Sequence, residues 1–579
     1  MTRAISVGDA GARGGVLRLY RAHAGAILIA LVVAAVAFLV LYPIGTIIQL
    51  TFFSDNPNEI FGTIPWQRAF EEPGMLRAIL NTLKVVAATQ GIALPIAISI
   101  AWVLGRTDVP FARALEFGFW VLFFLPALGV TTGWLLFFDP DFGLVNKFLI
   151  DWGLAKGPTF NLYSYWGIVF VHITTYGLAV KVMLLTPAFR NLDVSIEEAS
   201  YVCGAGRLHT LVRIVLPIMV PAIFVVFLMS VIRGLEAFEV ELVLGMPIKF
   251  QVYSTKIWLL MANSPPEYMA AGTLAVSVLA FVLPLIVLQR WASTRRSSAV
   301  IGGRSSTARL DLGRWRWPTF AILATIVCCM SLLPLCLLVM GSFMKLFGFF
   351  DLDQVWTAAH WGKAFADTTF MLSFRNMIYL GLGTAALAVT IYALVAYCTV
   401  RVESRLRSSL DVLTWLPLTI PGIILAFGYL NMALRVPIFA IMYGTIGALI
   451  LVSFLAAMTL GVQVLKVHML QIGAEVEEAG RVVGGSWART YARIVLPLAG
   501  PALAVVGVMV FAATIRNVSN IIFLSTGDNR VLSVLQVEML SSGILGPASV
   551  IGTVIVLMSL AAAIIVRLVS ARWGVAARG

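Results

Sequence analysis

Glu197-Glu198-Ala199, four residues, Gly204, and then Arg213-Ile214-Val215-Leu216-Pro217 with Pro221-Ala222 is the stretch that decides the fold, because it occurs twice. The second copy is Glu477-Glu478-Ala479, Gly484, Arg493-Ile494-Val495-Leu496-Pro497 and Pro501-Ala502, and every one of these eleven residues lies 280 positions after its counterpart, without a gap. Self-similarity at a fixed offset is the mark of a duplicated architecture. Weaker echoes point the same way: Asn81 and Arg106 match Asn376 and Arg401 at one common offset, and Leu125-Pro126 resembles Leu416-Pro417.

Outward from the motif, each copy sits between the fourth and fifth of six long apolar runs. Of the 579 residues 60% are hydrophobic and 12% charged, with a mean hydropathy of +0.94. A membrane-spanning helix needs roughly 20 apolar residues. Runs of that kind fall near 24–50, 80–104, 117–138, 165–186, 218–240 and 271–288, and again near 320–343, 377–400, 412–434, 438–462, 498–522 and 549–569. The first run is too long for a signal peptide and lacks a small-residue cleavage site. The expected fold is an all-α membrane protein of about twelve transmembrane helices, as a first domain at 1–288, a basic linker at 289–317 and a second domain at 318–579. With six helices per half both copies enter from the same side, so the repeat is parallel and its pseudo-two-fold axis runs along the membrane normal.

A formal net charge of +13 raises the question of nucleic acid, and the positions of the charges answer it. Arg3, Arg13, Arg18 and Arg21 precede the first run; Arg290, Arg295, Arg296, Arg304, Arg309, Arg314 and Arg316 crowd the linker; Arg572 and Arg578 lie in the tail. All fall on one side of an alternating bundle. The opposite loops hold Asp55, Glu59, Glu71, Glu72, Asp139, Asp141, Asp351 and Asp353. This is the positive-inside asymmetry of a multi-pass protein in a lipid bilayer, with both termini cytoplasmic, and no nucleic-acid partner is called for.

Around the motif, Ser195 and Glu198 have the spacing of a capping box, so a short helix is expected to start there. Gly204 is placed to end it. A second helical piece is expected over 207–215, with Pro217 breaking the chain before the next span. Glu475 stands where Ser195 does, so the second copy lacks the capping hydroxyl and the two loops are not equivalent.

These residues resemble the "EAA" loop of permease subunits in ABC importers of the type I fold. The resemblance implies that a short helix docks into a cleft on a separate ATPase subunit, with Glu197, Glu198, Ala199 and Gly204, and Glu477, Glu478, Ala479 and Gly484, as coupling residues. It further implies a bacterial inner-membrane location, two copies of a cytoplasmic ABC ATPase, and a periplasmic substrate-binding protein. No G-x-x-x-x-G-K-[ST] loop is present, so the chain is expected to bind no ATP or other cofactor and to have no catalytic residues, hydrolysis belonging to the partner. The stretches at 234–245, 252–258 and 310–318 are similar to fused permeases assigned to ferric iron import, whose relatives serve thiamine, aminoethylphosphonate and polyamines.

Ionisable residues near or inside spans are candidates for the solute path. The fifth run ends in Arg233, Glu236, Glu239 and Glu241, and the repeat register sets Arg516 against Glu236 and Ser519 against Glu239. Glu236, Glu239, Arg516 and Ser519 are therefore the candidate pathway residues, with Glu236 and Arg516 expected to face each other. The bland alternative is hydration at the membrane surface. His172 reads as a packed or hydrogen-bonded residue, and five scattered histidines with five cysteines lacking any C-x-x-C spacing offer no metal site. An ion-driven secondary transporter would share the helix count but would not need the twin motif. A membrane enzyme would need a nucleophile or paired-histidine constellation that is missing.

Overall fold

The computed structural model describes residues 8–52, 64–294 and 310–572. Much of the basic linker, including Arg295, Arg296, Arg304 and Arg309, lies outside the described residues, as do Arg3, Asp55, Glu59 and Arg578. The elements that carry the repeated loops are helices. In the first half the principal helices are α1 (Gly8–Phe52), α2 (Met75–Arg106), α3 (Ala112–Phe124), α4 (Ala127–Phe138), α5 (Tyr165–His172), α6 (Leu178–Arg190), α7 (Val194–Val202), α8 (Leu216–Leu235) and α9 (Tyr268–Thr294). The second half follows with α10 (Arg316–Ser342), α11 (Thr368–Arg401), α12 (Leu406–Trp415), α13 (Gly422–Arg435), α14 (Ile446–Gln471), α15 (Ala474–Val482), α16 (Gly500–Arg516) and α17 (Leu545–Arg572).

Eight helices among the described residues are long and apolar enough to cross a membrane, and four further spans are bent pairs. Four runs expected as single spans are thus broken. α3 and α4 meet at 99°, α12 with its 3-10 extension meets α13 at 108°, α5 and α6 at 42°, and the segment 487–498 meets α16 at 73°. The first two breaks have a plain cause. Pro126 and Pro421 each stand at the start of the second helix, in extended conformation, where proline supplies no N–H and pushes the preceding residue out of the helical region. The structural counterpart of Leu125-Pro126 is therefore Ile420-Pro421, at the same offset as Asn81 and Asn376, and not Leu416-Pro417.

Proline does not always break the chain. Across 207–235 the helix continues through a π-turn at Leu211–Val215, so the expected interruption at Pro217 is absent. One extra residue in that turn takes up the place where the Pro217 ring would otherwise meet the preceding carbonyl. In the second copy a π-turn spans Tyr491–Val495 as well, but a break does follow, at Ala499-Gly500 beyond Pro497.

Each half's first long helix packs on the other half. α1 lies against α12 and α13, and α10 lies against α3 and α4, while α9 and α17 complete the two equivalent groups. Small residues permit the approach. A Cβ on Gly133 would sit 2.1 Å from the Pro334 carbonyl oxygen, and one on Gly428 would sit 3.0 Å from that of Pro43. The Tyr429 hydroxyl donates to the Leu39 carbonyl, and Arg435 Nη1 donates to Gln49 Oε1 at 2.7 Å. Within each half the second long helix packs on the helix that leads into the repeated loop, α2 on α6 and α11 on α14. This brings the ends of α2 and α11 against the two motifs.

Candidate functional site: two anchored loop helices and the contact between the halves

The repeated motif forms α7 and α15, nine residues each. Their ends differ from expectation in one respect. Asp193, not Ser195, caps α7, its carboxylate accepting the Ser195 N–H at 3.0 Å. That bond holds the exposed Asp193 carboxyl below the usual aspartate range. The equivalent residue of α15 is Gly473, which has no side chain to offer, so the two loops do differ, one step outside the expected position. Gly204 and Gly484 end the helices as expected, both with φ of +83°. There the next amide turns back, Ala205 N–H to the Ser200 carbonyl and Gly485 N–H to the Gly480 carbonyl, a left-handed helix end that suits glycine.

The two glutamates of each pair have opposite environments. Glu197 and Glu477 are buried, whereas Glu198, Ala199, Glu478 and Ala479 are exposed. Glu197 receives both sides of the Arg106 guanidinium, Nε at 3.1 Å and Nη2 at 3.0 Å, and Arg106 Nη1 also donates to the Leu192 carbonyl at 3.0 Å. In the second half Arg401 Nε lies 2.8 Å from Glu477, which also accepts the Tyr397 hydroxyl at 2.9 Å and meets Arg481 at 3.4 Å. The expectation that both glutamates of each pair are offered to a partner is corrected by this geometry. The first glutamate is consumed internally, because the last turn of α2 or α11 presents an arginine to it.

Arg106 and Arg401 were visible in the sequence only as echoes of the duplication. Their common offset with Asn81 and Asn376 was the available signal. Those asparagines are anchors too: Asn81 donates to the Gln251 carbonyl at 3.0 Å, and Asn376 to the carbonyls of Asp528 and Arg530 at 2.9 and 3.0 Å.

The candidate pathway residues lie where α8 and α16 stop. Glu236 binds Arg233 at 2.7 Å. Arg516 Nη1 donates to the Phe123 carbonyl, with its guanidinium 5.0 Å from the Phe123 ring centroid. The expected Glu236–Arg516 pair is not formed: Glu236 is held by Arg233 one turn back on its own helix, and Arg516 reaches across the halves to Phe123 at the end of α3. Glu239 also reaches across the halves, accepting the Val518 N–H at 3.3 Å, beside the buried Ser519. His172 is buried with Nε2 2.6 Å from Glu241 Oε1, the packed, hydrogen-bonded histidine expected. Among the described residues no cluster of three or more His, Cys, Asp or Glu side chains is arranged to hold a metal ion.

Residues 93–296 match the family model described as the binding-protein-dependent transport system inner membrane component. The first half of the chain is similar to this family of permease components. The match falls on the first half, and the second half carries the same motif, a buried Arg–Glu anchor and one equivalent bent span, α12–α13 against α3–α4. The chain is 28% identical over 418 residues to the ferric transport system permease protein FbpB of Actinobacillus pleuropneumoniae, covering 69% of this chain and 58% of that one. A putative ferric transport permease of Haemophilus influenzae is 29% identical over 385 residues, 64% of this chain and 58% of the relative. The chain thus spans somewhat over half the length of these curated relatives. The molybdenum transport permease ModB of Escherichia coli is 26% identical over 225 residues, 38% of this chain and 96% of ModB. A chain from the crystal structure of a bacterial alginate ABC transporter aligns over 96% of its length with 48% of this chain at 19% identity and a TM-score of 0.40.

Proposed function

We propose that the permease forms the whole translocation channel of an ATP-driven ABC importer, both halves in one chain, and that it carries ferric iron delivered by a periplasmic binding protein. The observation that carries the mechanism is the pair of loop helices. Each is tied to the end of a long helix by a buried ion pair, and each leaves a glutamate and an alanine facing outward. A surface helix rigidly joined to a spanning helix can transmit a displacement of whatever holds it. In this reading two cytoplasmic ATPase subunits grip α7 and α15, and their closure on ATP draws the two halves together on that side and opens the other. For that to work ATP must favour one arrangement of the halves over the other.

Glu236, Glu239, Arg516 and Ser519 line the passage in this proposal, at the points where two helices are interrupted, the usual place for solute sites in transporters. Glu239 and the backbone at Val518 would part as the halves separate. Ferric iron is preferred over thiamine, aminoethylphosphonate or polyamines because the similarity to ferric permeases runs through both halves, and because the acidic Glu236 and Glu239 suit a cation. Each half belongs to its own domain in this view, with 289–317 as a cytoplasmic linker and both termini on the same side.

The test is uptake of radiolabelled ferric iron by vesicles holding the permease, its ATPase and its binding protein. ATP-dependent accumulation is expected, abolished by Glu198→Lys combined with Glu478→Lys. Normal turnover and uptake in that double variant would sink the coupling role; uptake driven by an ion gradient without ATPase would sink the importer reading.

A further inference from the structure

The strand of linker just before α10 is not a loose tether. The Leu310 N–H donates to the Arg106 carbonyl at 2.8 Å, and the Asp108 N–H donates back to the Leu310 carbonyl at 3.1 Å, making a short parallel bridge between Thr107 and Leu310. Asp108 Oδ1 then accepts the Leu312 N–H at 2.9 Å, and its other oxygen lies 3.5 Å from Arg316 Nε at the start of α10. Arg106 is therefore held from two sides, its main chain by the linker and its side chain by Glu197 of α7.

The second half has no such fitting among the described residues. Arg401 meets Glu477 through Nε alone and gives Nη2 to the Met469 and Ile472 carbonyls, and Val402 after it carries no bridge. Among the described residues, a backbone bridge beside the anchoring arginine is present in the first half and not in the second.

We propose that residues 310–316 are a positioning strut for the first loop helix: by fixing the backbone at Arg106–Asp108 they fix the arginine that holds α7, so the two loop helices are held with unequal stiffness. Leu310 and Asp108 are the positioning residues. Two opposed backbone bonds and one carboxylate accepting an N–H hold a segment far better than a flexible chain of the same length. In the importer reading, the first half then follows its ATPase more tightly than the second does.

The experiment uses the full chain in lipid nanodiscs and has two arms. In the first, amide hydrogen exchange is followed in 194–202 and 474–482. Leu310→Pro removes the N–H given to Arg106, and Asp108→Ala removes the acceptor for Leu312. Each is expected to speed exchange in α7 by about tenfold, the order of one hydrogen bond, with α15 unchanged. Asp108→Asn keeps an acceptor oxygen and should restore most of the protection. The second arm rests on the importer reading and measures solute carried per ATP hydrolysed, which should fall severalfold in Leu310→Pro and Asp108→Ala at unchanged ATPase binding.

Unchanged exchange in α7, or equal acceleration in α7 and α15, overturns the strut. A faster α7 with undiminished transport per ATP overturns its part in coupling. If the wild type shows no ATP-driven transport, the importer reading fails while the exchange arm still decides the strut. Should Asp108→Ala fail to accumulate, Leu310→Pro and Arg316→Ala act from the linker side alone.

Discussion

Truncating the two anchor arginines should have unequal effects, although the sequence presents them as equivalents. The Arg106 and Glu197 side chains are 3% and 8% exposed, and among the described residues Arg106 is the ion-pair partner of Glu197. Arg106→Ala strands a buried carboxylate and also frees the Leu192 carbonyl that Arg106 holds. Breaking a buried pair from one side costs about 3–5 kcal/mol. Arg401→Ala frees the Met469 and Ile472 carbonyls but leaves Glu477 with the Tyr397 hydroxyl and Arg481, so no carboxylate is stranded and its cost should be nearer to about 1–3 kcal/mol, the value of a hydrogen bond to a charged group. Because α7 is nine residues long and too short to persist alone, the cost appears as local opening. At a factor of ten for every 1.4 kcal/mol, exchange in 194–202 should rise by roughly a hundredfold or more in Arg106→Ala, or reach the unprotected rate. In 474–482 the rise in Arg401→Ala should be on the order of ten- to a hundredfold. Peptide-resolved hydrogen exchange on the reconstituted chain reads both. Equal acceleration, or a larger effect from Arg401→Ala, would refute the claim that the remaining partners of Glu477 soften its loss.

Three further outcomes follow from the same geometry. Gly204→Ala and Gly484→Ala should each cost about 1–2 kcal/mol of helix-end stability, measured by the same exchange, because φ is +83° at both and a Cβ meets nothing within 4 Å, leaving backbone strain as the whole effect. Gly133→Ala should lower the thermal midpoint of the purified chain more than Gly428→Ala, by about 1–3 kcal/mol of overpacking, since its Cβ would press on the Pro334 carbonyl at 2.1 Å against 3.0 Å for the Pro43 carbonyl. The first turn of α7 should loosen in acid and that of α15 should not. The Ser195 N–H depresses the Asp193 pKa, so this stabilisation is complete above the ordinary aspartate value of 3.8 and lost as pH falls through the lower folded value. Asp193→Asn should remove most of the pH dependence, and a titration that survives it would refute the assignment.

The sequence alone determined the helical membrane class, the duplication and the place of both loop helices. Apolar runs of spanning length and a gapless repeat are local properties that need no knowledge of packing. The glycine ends of α7 and α15 were legible for the same reason, being set by the backbone of a single residue. The broken spans were legible in principle, since Pro126 and Pro421 share the offset of the asparagines, but apolar length outweighs a single proline in a hydropathy reading.

Only the tertiary structure decided which glutamate of each pair faces in. In Glu197-Glu198 and Glu477-Glu478 the two residues are chemically identical, and the choice depends on where α2 and α11 end in space. It likewise decided against a Glu236–Arg516 pair, because register within a repeat says nothing of the distance between two side chains when each has a nearer partner. The strut at Leu310 was equally hidden: a bond between residues 106 and 310 leaves no periodic trace in the chain, and arises only because folding sets the linker beside the end of α2.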